Sequence, residues 1–349
     1  MTYENGNTLK VALIGIGGMG YCHYCCYDNI KDAEIVAVCD VREDMAKGKI
    51  LSRATSLKEA GKIAKDAPLP RVYGDLETLL AKEKIDVADI CSPTYLHAEM
   101  AIKCLEKGVH VLCEKPMTLT AREAETVLAA AEKSGKKFMA AHVVRFMSPY
   151  VYLRKTIESG KYGKLQRLDM KRLSSIPTWS WEDWMRCEEK SGGVGLDLSV
   201  HDLDFVFSVL GEPQQKSAVF RPVKNNSSFI ASTLLYGEES KFAGACVTCE
   251  ASWYNADIPF CAEFFAVFDN GYLRLQGGVL TDNGKTVTFD SAAKKQDLGI
   301  NISGDDAYAE EIAYFLSCVK NDMPITYVTP ESALQTVRLT RELIKNAVV

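Results

Sequence analysis

Nowhere in the 349 residues is there an apolar run long enough to span a bilayer. Excess basic charge is also missing. The 41 Lys and Arg are outnumbered by 46 Asp and Glu, for a formal net charge of −5. That balance removes the electrostatic reason to expect nucleic acid or an anionic membrane as partner. The opening Met-Thr-Tyr-Glu-Asn-Gly-Asn has neither a basic nor an apolar segment, so no secretory leader is expected and residues 1–8 read as a loose tail. Internal repeats and low-complexity tracts are absent, which excludes repeat architectures. Histidine is scarce, at five residues, so one that lies beside other polar groups is a candidate for acid–base work.

Cysteine is plentiful by contrast. Twelve in a chain of this size, without export signals, read as reduced thiols of a cytoplasmic protein. Cys22 and Cys25, with Cys26 beside them, fall on an expected helix. Cys246 and Cys249 fall on an expected strand, where a spacing of three points them to opposite faces. Both pairs read as small buried apolar residues, and no metal is expected.

Apolar content of 47% and charged content of 25% describe an ordinary globular protein, long enough for two domains. The first organises itself around Lys10–Gly20, Lys-Val-Ala-Leu-Ile-Gly-Ile-Gly-Gly-Met-Gly. Val11–Ile14 lacks polar alternation, as suits a strand buried on both faces. Gly15, Gly17 and Gly20 follow in G-x-G-x-x-G spacing. They serve in turn for a tight turn, for close approach of backbone to a pyrophosphate, and for packing of the next helix. That helix offers free N–H groups to phosphate. A second apolar strand, Glu34–Cys39, ends in Asp40, where a dinucleotide fold places an acid for the adenosine ribose.

Strands and helices then alternate to about Val144. Helices are expected over Glu43–Lys65, Asp75–Lys82, Thr94–Gly108 and Thr120–Gly135, and strands at Val72-Tyr73, Val87–Cys91, His110–Cys113 and Phe138–Val144. Such alternation implies a doubly wound parallel sheet with ligands at the carboxyl ends of its strands. Asp40, Ser92-Pro93-Thr94, Glu114-Lys115-Pro116 and Arg145 all occupy such ends. The first domain is therefore placed at 1–145 and the second at 146–349. In the second, Leu165–Leu173, Gln215–Val223, Phe229–Tyr236, Lys241–Trp253 and Phe260–Leu275 read as strands, with turns at Asp269-Asn270-Gly271 and Asp282-Asn283-Gly284. A helix from Gly192–Gly195 to Gly211, and closing helices at Asp305–Val319 and Glu331–Asn346, complete an open, mostly antiparallel sheet with helices on one face.

Two places carry chemistry. Lys115, at a strand end beside the nucleotide turn, could stabilise a developing alkoxide, and a plain surface lysine is the alternative. Asp197 and His201 lie four apart on the expected helix and share a face, beside an apolar stripe of Leu196, Val200, Leu203, Phe207 and Leu210. They suit a general base and its partner, or a salt bridge on a solvated strip. Adding Asp202 and Asp204 makes no metal site, because Asp202 points elsewhere on the helix. His23 reads as helix packing. His97 could line the cofactor cleft, and a structural role is the alternative. Trp179, Trp181 and Trp184, with Pro177, form a loop in which Trp181 is expected to stack on a sugar ring.

These markers together resemble the glucose-fructose oxidoreductase and inositol dehydrogenase (Gfo/Idh/MocA) family over nearly the whole chain. They are Gly15-Ile16-Gly17-Gly18-Met19-Gly20, Cys91-Ser92-Pro93-Thr94 with His97, Gly108 then His110 to Pro116, Arg145-Phe146, and Ser191-Gly192-Gly193 followed by Asp197 and His201-Asp202. The resemblance implies NAD(P)-dependent oxidation of a secondary hydroxyl on a sugar, polyol or cyclitol, or the reverse. Lys115 matches the active-site lysine, Asp197 and His201 the polar pair of the substrate site, and Glu114 a residue near the nicotinamide ribose. With the readings above, cofactor contacts are expected from Gly15, Gly17, Gly18, Met19, Gly20, Asp40, Arg42, Ser92, Pro93, Thr94, His97, Glu114 and Lys115, and substrate contacts from Lys115, Arg145, Trp181, Asp197 and His201. Asp40 favours NAD, and Arg42, two residues on, leaves NADP open. An NAD-dependent glycosidase and a non-catalytic dinucleotide-binding sensor are the competing functions.

The resemblance also implies a homodimer or homotetramer. Along Lys241–Trp253 one face is apolar throughout (Ala243, Ala245, Val247, Cys249, Ala251, Trp253), and in the next strand Phe264, Ala266 and Phe268 oppose Phe265 and Val267. With helices on one side only, the second face would leave aromatic rings in water, which marks it as a dimer contact.

Overall fold

The apolar run after Lys10 becomes the centre of a six-stranded parallel sheet. The computed structural model describes residues 8–61, 64–66, 68–224, 227–289 and 307–348, so the tail expectation for residues 1–7 lies outside the described residues. Two compact units divide the chain. One comprises Met1–Met117, Glu123–Ala141 and Tyr308–Pro330; the other comprises Thr118–Arg122, His142–Ala307 and Glu331–Val349.

The first sheet is built from β1 (Leu9–Ile14), β2 (Ala33–Cys39), β3 (Arg71–Tyr73), β4 (Val87–Ile90), β5 (His110–Glu114) and β6 (Phe138–Ala141). Their order is β3-β2-β1-β4-β5-β6, all parallel. The connecting helices are α1 (Gly18–Cys26), α2 (Glu43–Glu59), α3 (Leu76–Lys82), α4 (His97–Glu106) and α5 (Ala121–Ser134). Val11, Ala12 and Leu13 are fully buried, as a strand covered on both faces requires. Asp75 caps α3, its Oδ1 accepting the Thr78 N–H at 2.7 Å. Three boundaries differ from expectation. The helix from Glu43 ends at Glu59. A 3₁₀ turn, Thr94–Leu96, precedes α4. β6 stops at Ala141, and Arg145 lies on a 3₁₀ turn, Val143–Phe146.

The second unit adds α6 (Ser148–Ser159), β7 (Leu165–Ser175), a 3₁₀ turn at Trp181–Arg186, α7 (Glu188–Ser191), a π-helical turn at Val194–Leu198 and α8 (Val200–Leu210). Then come β8 (Gln215–Lys224), β9 (Ser227–Leu235), β10 (Cys246–Tyr254), β11 (Cys261–Phe268), β12 (Gly271–Gln276), β13 (Val279–Asp282) and β14 (Lys285–Thr286). α9 (Ala307–Lys320) belongs to the first unit and α10 (Pro330–Lys345) chiefly to the second. Residues 305 and 306 of the expected penultimate helix lie outside the described residues. The second sheet runs β14-β13-β12-β11-β7-β10-β9-β8, with β7 and β10 parallel and every other pair antiparallel. The fold is thus a doubly wound parallel sheet plus a mostly antiparallel sheet with helices. Tyr150, Leu153, Leu203, Phe205, Leu339 and Leu343 from α6, α8 and α10 share one core with Val247, Trp253, Phe264 and Ala266 of the sheet.

Some expectations need correction. α6 was not foreseen, although Pro149 stands in its first turn and Gly160 ends it with φ 62. The strand drawn from Lys241 begins only at Cys246, because 241–244 is a turn that Gly244 closes at φ 89. The helix drawn through 192–211 is broken into the π turn and α8. Gly192 and Gly193 sit at φ 77 and 61, and a Cβ on Gly195 would lie 2.8 Å from Ile344 Cδ1. Only a glycine lets α10 come that close. Among the described residues no helix is long and apolar enough to cross a membrane.

Candidate active site

The glycine turn sits where the strand order reverses, between β1 and β4, the usual ligand position of an open α/β sheet. Each glycine is required for a different reason. Gly15 has φ 86, and a Cβ there would lie 2.8 Å from Cys91 O. A Cβ on Gly20 would lie 1.9 Å from Gly15 O. A Cβ on Gly17 would meet nothing within 4 Å, so the space beside it is open. Gly17 also precedes α1 without any side-chain cap, and Gly18 and Met19 open that helix. Its first N–H groups and positive end are thereby left for an anion.

Around this turn, Asp40 Oδ2 accepts the Ile16 N–H at 3.0 Å, and Oδ1 accepts the Arg42 N–H at 2.9 Å and its Nε at 3.3 Å. Lys49 was not foreseen. Its Nζ donates to Ile16 O at 2.7 Å and Gly17 O at 3.0 Å. Burial, then the neighbouring Arg42 charge, pulls the Lys49 pKa down. Just past β4, Ser92 Oγ is buried with no hydrogen-bond partner among the described residues, beside Pro93 and the buried Thr94. An open backbone cradle, an orphaned buried hydroxyl and a carboxylate at the end of β2 fit a dinucleotide's phosphates and ribose.

Past β5 stands Lys115, half-buried, in a cis peptide with Pro116. Its backbone N–H donates to Glu114 Oε2 at 3.0 Å. Glu114 Oε1 lies 3.1 Å from His23 Nε2, and His23 Nδ1 lies 3.0 Å from both Asp89 oxygens. Tyr27 Oη donates to Asp89 Oδ2 at 3.0 Å. His23 thus does more than pack its helix. The signal that could have revealed it was Asp89, a charge inside the apolar strand Val87–Cys91. His97 is buried, with Nδ1 2.9 Å from Pro116 O and Nε2 2.8 Å from Ser92 O, so its ring sits between two strand-end turns and, when neutral, donates to one of the two carbonyls. Burial holds its pKa below the ordinary value. Among the described residues, the one trio of His, Cys and Asp or Glu with ligand atoms mutually within 4.8 Å is His23, Asp89 and Cys91. Hydrogen bonds within the protein join it, with Cys91 Sγ donating to Asp89 Oδ1 at 3.6 Å.

Asp197 and His201 belong to the second unit, Lys115 to the first. Asp197 is buried on the π turn, and His201 is half-buried in the first turn of α8. Such π turns are frequent at functional sites. Asp202 and Asp204 are buried and paired within the unit. Asp202 Oδ1 accepts Arg172 Nη2 at 2.7 Å. Asp204 accepts Arg145 Nε at 2.7 Å and Nη2 at 2.6 Å. The Arg145 guanidinium holds the Asp204 carboxyl below the usual range against the opposing effect of burial. Arg145, expected at the substrate, is itself 2% exposed, and its charge is spent on Asp204. These partners are 30 and 59 residues apart, beyond any local pattern. Trp179 and Trp181 are 66% and 37% exposed. Glu182 and Asp183 beside them hold φ 49 and 58, a left-handed pair costly for residues with side chains.

Together these features define a dinucleotide-binding α/β protein that carries a second, mostly antiparallel sheet. The chain belongs to the Gfo/Idh/MocA oxidoreductase family: residues 9–142 match its "Oxidoreductase family, NAD-binding Rossmann fold" and residues 150–273 its "GFO/IDH/MocA C-terminal domain". It is 33% identical over 212 residues to D-glucoside 3-dehydrogenase of Escherichia coli, a stretch covering 60% of this chain and 56% of that protein. It is 26% identical over 334 residues to myo-inositol 2-dehydrogenase of Thermotoga maritima, covering 90% of each. An Agrobacterium radiobacter oxidoreductase, solved with NAD+, L-tartaric acid and magnesium, shares the fold at TM-score 0.77 and 18% identity, over 97% of this chain and 96% of that one.

Proposed function

We propose that the protein moves a hydride between a secondary hydroxyl-bearing carbon of a sugar, polyol or cyclitol and a nicotinamide dinucleotide, with NAD preferred to NADP. One observation carries this reading. The open glycine cradle at β1 and the Lys115 ammonium past β5 belong to the same sheet edge, so a phosphate site and an oxygen-stabilising cation share one scaffold. The names of the glucoside and inositol dehydrogenases support a sugar or cyclitol substrate.

When bound, the nicotinamide supplies the hydride chemistry, and the protein supplies position and charge. His201 takes the proton from the substrate hydroxyl. Lys115 donates a hydrogen bond to that oxygen and stabilises its developing negative charge. Asp197 orients the substrate or His201, and Trp181 offers a ring face to the sugar. Arg145 is left out of the substrate set, because breaking its buried pair with Asp204 would strand two charges. The assembly is a homodimer or homotetramer, its dimer formed through the uncovered face of the second sheet.

A screen of polyols and aldoses, followed by the absorbance of the reduced nicotinamide, tests the reading. Reduction of NAD by at least one of them is expected. If none reduces it while a glycoside is cleaved with the cofactor unchanged after each turnover, the protein is a hydrolase instead.

A further inference from the structure

We infer that His23 is a positioning residue for Lys115: its ring donates from both nitrogens, to Asp89 on one side and Glu114 on the other. The inference rests on the reading of Lys115 given above. A neutral imidazole has one N–H and one lone pair, so between two ionised carboxylates one of its contacts would be repulsive. Each carboxylate here already receives another donor. Tyr27 Oη donates to Asp89 at 3.0 Å, and the Lys115 N–H donates to Glu114 at 3.0 Å. Both therefore act as acceptors, and the ring between them supplies a donor to each.

His23 and Asp89 are fully buried, and Glu114 is 6% exposed. The groups facing the ring are Asp89 and Cys91 at the end of β4, Glu114 of β5, Tyr27 in the turn after α1, and Tyr308 of α9, whose ring centroid lies 6.1 Å away. Glu311 acts on Tyr308 from the same helix, and Cys26 feels the His23 charge from α1. Burial alone would push the imidazole toward neutrality, but the charge and hydrogen bond of Asp89, together with those of Cys91, outweigh it and hold the His23 pKa well above the ordinary value. Burial likewise pushes Glu114 up, and the His23 bond and charge bring it below the usual carboxylate range.

One side chain thus joins the helix that begins at the glycine turn to the residue whose carboxylate grips the Lys115 backbone. A side chain that fixes the backbone beside a reacting group matters because small misplacements there cost rate.

Nitrogen-15 spectra of the intact protein labelled at histidine test the protonation state, with His23→Gln assigning the signal. We expect both His23 ring nitrogens protonated from pH 6 to pH 8. A neutral tautomer at pH 7 overturns the inference. Kinetics of His23→Gln, Glu114→Gln and the double variant test the route of action. His23→Gln should lower kcat roughly tenfold to a hundredfold with substrate KM nearly unchanged, and should add no further loss once Glu114 is glutamine. Losses that multiply in the double variant mark a merely structural histidine. Failure of the Lys115 reading is seen separately, as Lys115→Met turning over at the wild-type rate whatever the spectra show.

Discussion

A Cβ on Gly20 would stand 1.9 Å from the Gly15 carbonyl oxygen, whereas one on Gly17 would touch nothing in the protein. The two glycines therefore answer to different constraints, one set by the protein's own backbone and one facing open space. Gly20→Ala should destabilise the protein itself, by at least the roughly 1–3 kcal/mol of an overpacked site. Gly17→Ala should melt like wild type without cofactor yet bind NAD about tenfold or more weakly. Thermal melts and fluorescence titrations separate the two. Equal NAD affinity for Gly17→Ala would remove the pyrophosphate from that spot.

Lys115→Met and His201→Ala should each cut turnover by roughly a hundredfold or more, the usual scale for losing an acid–base group. NAD binding should survive in both, because the phosphates are expected at the glycine turn and not at either side chain. Oxidation of the best substrate at near wild-type rate by both variants would show the assignment to be wrong.

Cofactor choice hangs on Asp40. Its carboxylate can accept from a ribose diol and repels a 2′-phosphate, while Arg42, already within 3.3 Å of it, offsets part of that repulsion. NAD should bind about tenfold tighter than NADP, which is about 1.4 kcal/mol. Asp40→Ser should shrink or reverse the gap. A tighter dissociation constant for NADP in the wild-type protein would make Arg42 the deciding residue.

The second sheet exposes Phe265, Tyr272 and Val279 at 38%, 37% and 50% on the face away from its helices. Aromatic surface of this kind is costly in water and marks a contact. Light scattering at micromolar concentration should give at least twice the 38.6 kDa chain mass, and Phe265→Asp should lower it. A wild-type mass of one chain would sink the dimer.

Acid should weaken the fold through His110. Burial, then the charges of Lys136 and Lys137, hold its pKa down to about 4, and its Nδ1 accepts the Lys137 backbone N–H at 3.0 Å. An unfolded histidine titrates near 6.5, so between those values the unfolded chain binds the extra proton. The contribution is complete above about pH 6.5 and is lost as pH falls toward 4, on the order of 2–3 kcal/mol. Urea unfolding at pH 7 and pH 5 should show a shallower pH dependence for His110→Asn. Identical slopes would refute the assignment.

Much of the first unit was legible because its signals are local. The glycine spacing, the strand-ending Asp40 and the Asp75 cap each act within a few residues. The face assignment of β11 also followed from alternation, with Phe264, Ala266 and Phe268 buried and Phe265 exposed. Buried charge was not legible. In the sequence Asp202 and Asp204 invite weighing only as metal ligands and Asp89 stands unmarked inside a buried strand, because their partners Arg172, Arg145 and His23 come from distant parts of the chain. The π turn stayed hidden for a similar reason, since the close approach of Ile344 to Gly195 is a tertiary fact. His97 was picked out by its place near a strand end, but its two carbonyl contacts became visible only in three dimensions.

The chain passes between the two units after Met117, Arg122, Ala141, Ala307 and Pro330. On the ribosome, the first unit must therefore wait for Tyr308–Pro330, its last contribution, long after its sheet has been synthesised. The second waits longer still. No single cut in the gene releases either half intact, so truncations meant to isolate the nucleotide-binding part will yield unfinished cores that invite chaperones and proteases. Exchanging one half for that of a relative would need several splice points.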